Sequence, residues 1–336
     1  MKALRNVSRQ RMVSAKKNKN DDFYTSLSDI EKEIKHYKKH LIGKTIYLNC
    51  DDPRISNFFH YFSYNFEQLG LKKLYSTAYK NNQIDLFSNN NQEKGILLEY
   101  SGDKNDNKIP DLEEISITNL NGDGDFRSSE CIEVLEKSDI VVTNPPFSLF
   151  REYVQQLIEH DKKFIIMGHQ NAITYKEIFS YIKEGKIWLG HDNGGTKWFE
   201  VKNHYEIKTK SRQKTENGKK YFSMGNVVWF TNLEIQKRKE EIILYKKYTK
   251  NEYPAYDNYN AINVDKVTEI PFDYDGYMGV PITFLDKHNK NQFDIYGIMN
   301  TGEENKGIRY PDTLHGRPIV DGKEKYLRIL IKNKDR

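Results

Sequence analysis

Cysteine is almost missing from this chain: Cys50 and Cys131 are the only two in 336 residues. Two thiols exclude a disulfide-stapled secreted scaffold and give no basis for a zinc cluster, so no metal is expected. Long hydrophobic runs are missing too. No stretch approaches the twenty or so apolar residues that a membrane helix needs, and no signal-peptide core is visible. A cytoplasmic chain with no membrane partner is expected. Internal repeats are lacking, and the first twenty residues contain no acid.

What is present points to a large globular protein. Hydrophobic residues make up 37% and charged ones 30%, a lean core composition that 23 Tyr and 17 Phe offset with volume. The length suits one large domain or a core with an appendage. A net charge of +5 is compatible with nucleic acid without requiring it. The acid-free arm, residues 1–20, carries Lys16, Lys17 and Lys19 among its cations and is expected to follow a phosphate backbone by counterion release. Its plain alternative is a solvated tail.

The organising stretch is Asp139-Ile140-Val141-Val142-Thr143-Asn144-Pro145-Pro146-Phe147. A β-branched run reads as a buried parallel strand, and two prolines end it, since neither donates an N–H. The result is a rigid loop at the carboxyl end of a strand, where open α/β sheets place their chemistry. Asn144, Pro145, Pro146 and Phe147 are the candidate catalytic residues. The Asn144 side-chain oxygen and the Pro145 carbonyl can accept both hydrogens of an exocyclic base amine as a methyl group arrives. Phe147 can stack on a base turned out of its helix. A Pro-Pro turn with a tucked Phe is the simpler reading of the motif taken alone.

Periodicity places a helix from a Ser28 cap to about His40, then a strand over Lys44–Cys50 closed by Asp51-Asp52-Pro53-Arg54. A helix over Asn57–Leu69 and a strand over Lys72–Ala78 follow. Residues 81–110 are polar, with a hairpin-like excursion near Gly95–Tyr100, and a third strand near Glu114–Thr118 leads to Gly122-Asp123-Gly124-Asp125-Phe126. The Pro-Pro strand is fourth, and Lys163–Met167, after a helix over Phe150–His160, is fifth. This alternation predicts an α/β fold, a doubly wound and mostly parallel sheet. Acids after the first and third strands and the Asn-Pro-Pro-Phe loop after the fourth form an ordered series that suits a nucleoside cofactor. Each acid alone reads more readily as a cap or turn residue.

Four stretches carry a resemblance: Asp22-Phe23-Tyr24-Thr25, Asn49 to Phe59, Gly122 to Glu130, and Ser138 to Tyr153. With further matches at Trp229–Leu233, Tyr256–Val264, Met278–Leu285 and Arg328–Lys332, the chain resembles the EcoRI-type adenine-specific DNA methyltransferases over nearly its whole length. The resemblance implies transfer of a methyl group from S-adenosylmethionine to adenine N6 in duplex DNA, within a restriction-modification system. It also implies a monomer, and a cognate restriction endonuclease that acts on the same site without forming a complex. Phe23, Tyr24 and Thr25 match the motif that cups the methionine end, Asp51 and Asp52 the first cofactor motif, and Asp125 and Phe126 the adenine-contacting motif. GAATTC is the first target to test. Two features depart from methyltransferases in general: the glycine-rich turn after the first strand is missing, and Ser76-Thr77-Ala78-Tyr79 ends the second strand without the acid that commonly takes the ribose hydroxyls.

Three domains are expected: a basic arm over 1–20, a catalytic domain over 21–235, and a loop-rich recognition region over 236–336. After the fifth strand come a helix from Asn171, a strand over Lys186–Gly190, and the loop His191–Gly195, which reads as a turn more readily than as a base contact. Lys208, Lys210 and Arg212 precede a hairpin signalled by Asn217-Gly218, a candidate DNA-groove element. Asn226–Asn232 reads as a last strand, with Trp229 and Phe230 in pocket or core. Asn-Pro-Pro with an aromatic also serves RNA and protein-amide methyltransferases. Pro311-Asp312 followed by Asp321-Gly322-Lys323 imitates a metal-dependent nuclease, although a Pro/Gly turn is the better reading there.

Overall fold

The structure, a computed structural model, describes residues 25–50, 56–78, 94–111, 113–201, 209–300, 307–310 and 316–334. The chain divides into two compact units, Met1–Ala172 with Asp192–Leu233, and Ile173–His191 with Glu234–Arg336.

The first unit is built on a sheet whose strands are β1 (Thr45–Asn49), β2 (Lys73–Ala78), β3 (Ile96–Tyr100), β4 (Ser116–Asn119), β5 (Ile140–Thr143), β6 (Lys163–His169) and β11 (Val227–Thr231). Their order is β4-β3-β2-β1-β5-β6-β11. β2, β1, β5 and β6 are parallel, in the registers Thr45↔Lys73, Ile46↔Ile140 and Ile140↔Lys163. β1, β5 and β11 are buried along their whole length, as expected of β-branched and aromatic runs covered on both faces. The chain leaves β1 outward to β2 and returns to β5 on the other side, so the direction of winding reverses between β1 and β5. That switch point is where open α/β sheets bind ligands.

Both flanks are antiparallel: β3 against β2, β4 against β3, and β11 against β6. The excursion at Gly95–Tyr100 is therefore a full sheet strand. The third strand begins later than its sequence indicates and lies two places from β2. Because β3 is interposed, β4 again runs in the direction of β1, so its carboxyl end stays on the same sheet edge.

The helices of this unit are α1 (Leu27–Ile34), α2 (Asn57–Tyr64), α3 (Ser129–Glu136) and α4 (Phe150–Glu159). α1 is capped by Ser26 rather than Ser28, its hydroxyl accepting from the Asp29 N–H at 3.1 Å. The helix gives way at Lys35–Tyr37 to a 3₁₀ turn, so it does not run unbroken to His40. α2 is likewise shorter than Asn57–Leu69: Asn65, whose Nδ2 donates to the Tyr61 carbonyl at 2.8 Å, interrupts it before the short helix Phe66–Leu69. α4 lays Phe150, Tyr153, Val154 and Leu157 into the core. On β6, Gly168 leaves room for that packing, since a Cβ there would stand 2.5 Å from the Phe150 ring. A separate small sheet is formed by β8 (Phe199–Val201), β9 (Gln213–Glu216) and β10 (Lys219–Phe222) in the order β8-β10-β9. Asn217 and Gly218 make its hairpin turn with φ of +50° and +75°, as the Asn-Gly signal requires.

The second unit contains α5 (Lys176–Lys183), β7 (Trp188–Leu189), β12 (Ile262–Asn263), β13 (Met278–Pro281), β14 (Phe293–Met299), the hairpin β15–β16 (Ile319–Val320, Lys323–Glu324) and β17 (Arg328–Asn333). Its sheet, in the order β12-β13-β17-β14, supplies more regular structure than a loop-rich region implies. Tyr256, Tyr259, Met299 and Leu330 form its core, so these tyrosines act as core volume. Asp321-Gly322 is the two-residue turn of the β15–β16 hairpin, with φ of +50° and +71°, and Asp312 lies outside the described residues. Among the described residues no helix is long and apolar enough to cross a membrane.

Candidate active site

Three loops leave the carboxyl edge of the first unit's sheet beside the switch point. The first leaves β1 at Cys50, which takes a left-handed φ of +77°. A glycine ordinarily supplies that conformation, so the sharp exit persists although the glycine-rich turn is missing. Asp51 and Asp52 lie outside the described residues, as do Phe23 and Tyr24. Thr25 is buried; its hydroxyl donates to Met167 Sδ at 3.3 Å, and its carbonyl accepts from Asn57 Nδ2 at 2.7 Å. The end of the N-terminal motif is thereby fixed between β6 and the start of α2.

The second loop, Gly122–Phe126, follows β4. Gly95 N–H donates to the Gly122 carbonyl at 2.8 Å, and a Cβ on Gly95 would come within 2.7 Å of the Gly124 backbone. This close approach seats the loop over the ends of β2 and β3. Asp125 receives Arg127 twice, Nε at 2.9 Å and an Nη at 2.7 Å, while the other Nη of Arg127 reaches Glu152 at 3.0 Å. Burial opposes ionisation of Asp125, but the hydrogen bonds and charge of Arg127 outweigh it and hold the carboxyl below its ordinary value. Phe126 meets Tyr153 edge-on, with centroids 5.0 Å apart, and its carbonyl accepts from Gln156 Nε2 at 3.0 Å.

The third loop is Asn144-Pro145-Pro146-Phe147, directly after β5. Pro145 is buried, Pro146 exposed, and Asn144 and Phe147 half-buried, with the Asn144 side-chain oxygen shielded from solvent. The Pro146 carbonyl accepts from the Leu149 N–H at 2.9 Å, starting the 3₁₀ turn Phe147–Leu149 that leads into α4. The Phe147 ring stands 6.4 Å from that of His169, the last residue of β6. Burial, with a smaller effect from the Arg212 charge, lowers the His169 pKa against a backbone hydrogen bond to Met224 that raises it.

A short network ties these loops together. Tyr153, on α4, donates its hydroxyl to Asn49 Oδ1, and Thr143 donates to the Asn49 carbonyl. Tyr153 therefore touches the loop after β4 through Phe126 and the end of β1 through Asn49, while Thr143, the residue before Asn144, is tied to the end of β1. Burial keeps the Tyr153 hydroxyl protonated far above its ordinary range. Asn49, Arg127, Tyr153 and His169 carry no recognisable motif, although Asn49, Arg127 and Tyr153 stand within the stretches that carry the resemblance.

Of the predicted nucleic-acid contacts, Lys210 and Arg212 are exposed on the 3₁₀ turn before β9, whereas Lys16, Lys17, Lys19 and Lys208 lie outside the described residues. The Ser223 N–H donates to the Arg212 carbonyl at 2.9 Å, so this basic turn connects to the segment facing His169. The loop from Asp192 to Gly195 acts as a structural tie: Asp192 pairs with buried Lys197 at 2.7 Å, and Asn193 Oδ1 accepts from the Trp229 N–H at 2.8 Å. Trp229 and Phe230 are fully buried and fill the core.

These residues fit the nucleoside part of a cofactor. A phenylalanine ring, backbone polar groups of a glycine-bearing loop brought close by Gly95, and a carboxylate fixed by arginine line the edge beside the switch point. A family profile described as adenine-specific methyltransferase EcoRI matches residues 11–334. The chain is 48% identical, over 98% of both chains, to the Type II methyltransferase M.EcoRI of Escherichia coli. It is 38% identical to the Type II methyltransferase M.MgeORF184P of Mycoplasma genitalium and 37% identical to M.MpnI of Mycoplasma pneumoniae, in each case over 95% of this chain and 97% of the relative. No solved structure matches. Its methyl donor is S-adenosylmethionine, and the chain belongs to the EcoRI-type family of adenine-specific DNA methyltransferases.

Proposed function

We propose that this site-specific adenine-N6 methyltransferase acts on duplex DNA at GAATTC, on an adenine turned out of the helix into the edge beside β5. The observation that carries the reading is the position of Asn144 to Phe147, immediately after β5 at the switch point and joined through Thr143, Asn49 and Tyr153 to Phe126. Asn144 Oδ1 and the Pro145 carbonyl accept the two N6 hydrogens and favour a pyramidal nitrogen, whose lone pair is otherwise delocalised into the ring. Phe147 stacks on the base. The S-adenosylmethionine sulfonium supplies an electrophilic methyl group. The surplus proton leaves N6 after transfer, so the chain needs no buried general base. Phe126, with Asp125 fixed by Arg127, holds the cofactor's adenine. Phe23, Tyr24 and Thr25 enclose its methionine end, and Asp51 or Asp52 meets the amino group.

Sequence readout falls to the region 236–336, with the 1–20 arm and the basic turn at Lys208, Lys210 and Arg212 on the phosphates. The enzyme works as a monomer, and a cognate endonuclease meets the same site independently. The family assignment sets aside RNA and protein-amide substrates.

Single-molecule sequencing of DNA from expressing cells tests the target: N6-methyladenine confined to GAATTC is expected, and another motif refutes that specificity. Asn144→Ala tests the site. Transfer should fall at least about a hundredfold, in the range for loss of a positioned transition-state acceptor, with cofactor affinity unchanged. A parallel loss of cofactor affinity would make Asn144 structural.

A further inference from the structure

The connection from β3 to β4 contains Asp103-Lys104-Asn105-Asp106-Asn107-Lys108-Ile109-Pro110-Asp111-Leu112-Glu113-Glu114. Asp103, Asn105, Asn107, Asp111 and Glu114 stand at positions 1, 3, 5, 9 and 12 of this stretch, the spacing of side-chain ligands in an EF-hand-type calcium loop. Such loops take a further ligand from the backbone carbonyl at position 7, here Ile109. They carry glycine at position 6 for a sharp turn. Lys108 occupies that place and holds the left-handed φ of +61° that the turn needs. Its N–H donates to Asp103 Oδ2 at 2.7 Å, and the Asn105 N–H to Asp103 Oδ1 at 3.2 Å, so the backbone already winds around the first side chain. The flanks differ from an EF-hand, being strands instead of helices.

Glu114 is the independent pointer to a ligand. It is 6% exposed, and its Oε1 accepts from the Lys104 and Asn105 N–H groups at 2.5 and 3.3 Å. Its Oε2 is buried with no hydrogen-bond partner. A buried carboxylate oxygen without a donor is strongly disfavoured unless a cation faces it. Position 12 is where a calcium loop places its bidentate glutamate.

The remaining groups are gathered but turned. Asn105 Nδ2 and Asn107 Nδ2 both donate to Asp111 Oδ2, at 2.7 and 3.0 Å, so neutral amide donors face the carboxylate where a metal would otherwise stand. A cation entering there needs both amides to present oxygen instead. Among the described residues no three His, Cys, Asp or Glu side chains are already grouped to hold a metal. Asp103, Asp111 and Glu114 are spaced along the loop but not drawn together, so binding requires the loop to close around the ion.

We propose that residues 103–114 form a calcium-binding loop. The all-oxygen donors, the backbone carbonyl and the flexible geometry suit Ca²⁺, whereas Mg²⁺ demands a near-ideal octahedron and releases its water reluctantly. The site lies at the sheet edge opposite the catalytic loops, because the Tyr100 end of β3 pairs with Leu74 near the start of β2. The ion therefore stabilises the β3–β4 flank and takes no part in methyl transfer. The inference stands independently of the transferase reading.

The test uses the full chain after removal of metals with a chelator. Calorimetric titration with CaCl₂ should show one ion per chain, and the thermal midpoint should rise with Ca²⁺ more than with equal Mg²⁺. Glu114→Gln should weaken Ca²⁺ at least tenfold. Asp111→Asn, at an exposed carboxylate, should weaken it too and guards against a folding defect at Glu114. Absence of heat and of any midpoint rise up to about 10 mM Ca²⁺, tenfold beyond the weakest such loops, overturns the proposal. Undiminished binding in both variants overturns it as well, by placing the ion elsewhere.

Discussion

Tyr153→Phe isolates the contact that holds the site's loops together. The substitution keeps the ring against Phe126 and removes only the hydroxyl that Asn49 Oδ1 accepts. Asn49 is 5% exposed and Tyr153 2%, so water does not readily replace the lost donor. An average hydrogen bond contributes about 1 kcal/mol net, but stranding a buried acceptor costs about 1–3 kcal/mol. The larger figure applies here, and a cost of about 2 kcal/mol corresponds to roughly thirtyfold in the folding equilibrium. Urea unfolding followed by tryptophan fluorescence should show the midpoint falling with the slope preserved. Asn49→Ala strands the tyrosine hydroxyl instead, so the double variant should cost less than the sum of the singles by about 1 kcal/mol. Cofactor affinity should fall in step, since the bond holds the end of β1 to α4, whose Tyr153 ring supports Phe126. A Tyr153→Phe cost under about 0.5 kcal/mol, or strict additivity in the double variant, refutes this account.

Gly95→Ala should displace the Gly122–Phe126 loop, because the new methyl would stand 2.7 Å from the Gly124 backbone. The expected signature is a raised KM for S-adenosylmethionine with DNA affinity unchanged; an unaltered KM would detach that loop from the cofactor. Burial raises the pKa of Tyr47 and Tyr153 well above the ordinary tyrosine value, so the unfolded chain loses those protons first on alkaline titration. Their stabilising contribution is complete below about pH 10 and is lost as pH rises from there toward the folded-state values. Urea midpoints across that range check it, and an equal alkaline drop in Tyr47→Phe would contradict it. Deleting residues 1–20 removes seven cations and should weaken DNA binding. The salt slope should fall by up to about 6 if every cation meets a phosphate, and an unchanged slope would make the arm a bystander.

Much of the candidate site was legible because its residues are neighbours in the chain. Asn144 to Phe147 combine a strand, two N–H-deficient residues, an amide and a ring in consecutive positions, and the backbone restriction of proline acts without reference to the rest of the chain. The strands β1, β2, β5 and β6 were readable for a similar reason, being short β-branched or aromatic runs. Less legible were the elements whose role depends on partners. Ile96–Tyr100 is a strand only because β2 and β4 offer ladders on either side. The tyrosines of the second unit are core residues only because a four-stranded sheet surrounds them.

Sequence by itself determined the chemistry on offer: the Asn-Pro-Pro-Phe loop, the order of loops along the strands, the Asn217-Gly218 hairpin, and the methyltransferase resemblance. Each depends on neighbouring residues or on long identical runs. Tertiary structure decided the antiparallel flanks, the left-handed exit at Cys50, the pairing of Asp125 with Arg127, and the joining of Asn49, Phe126, Thr143 and Tyr153 at the switch point. Asn49 and Tyr153 lie 104 positions apart. A hydrogen bond across such a separation exists only once the sheet has closed the intervening chain, and no local pattern encodes it.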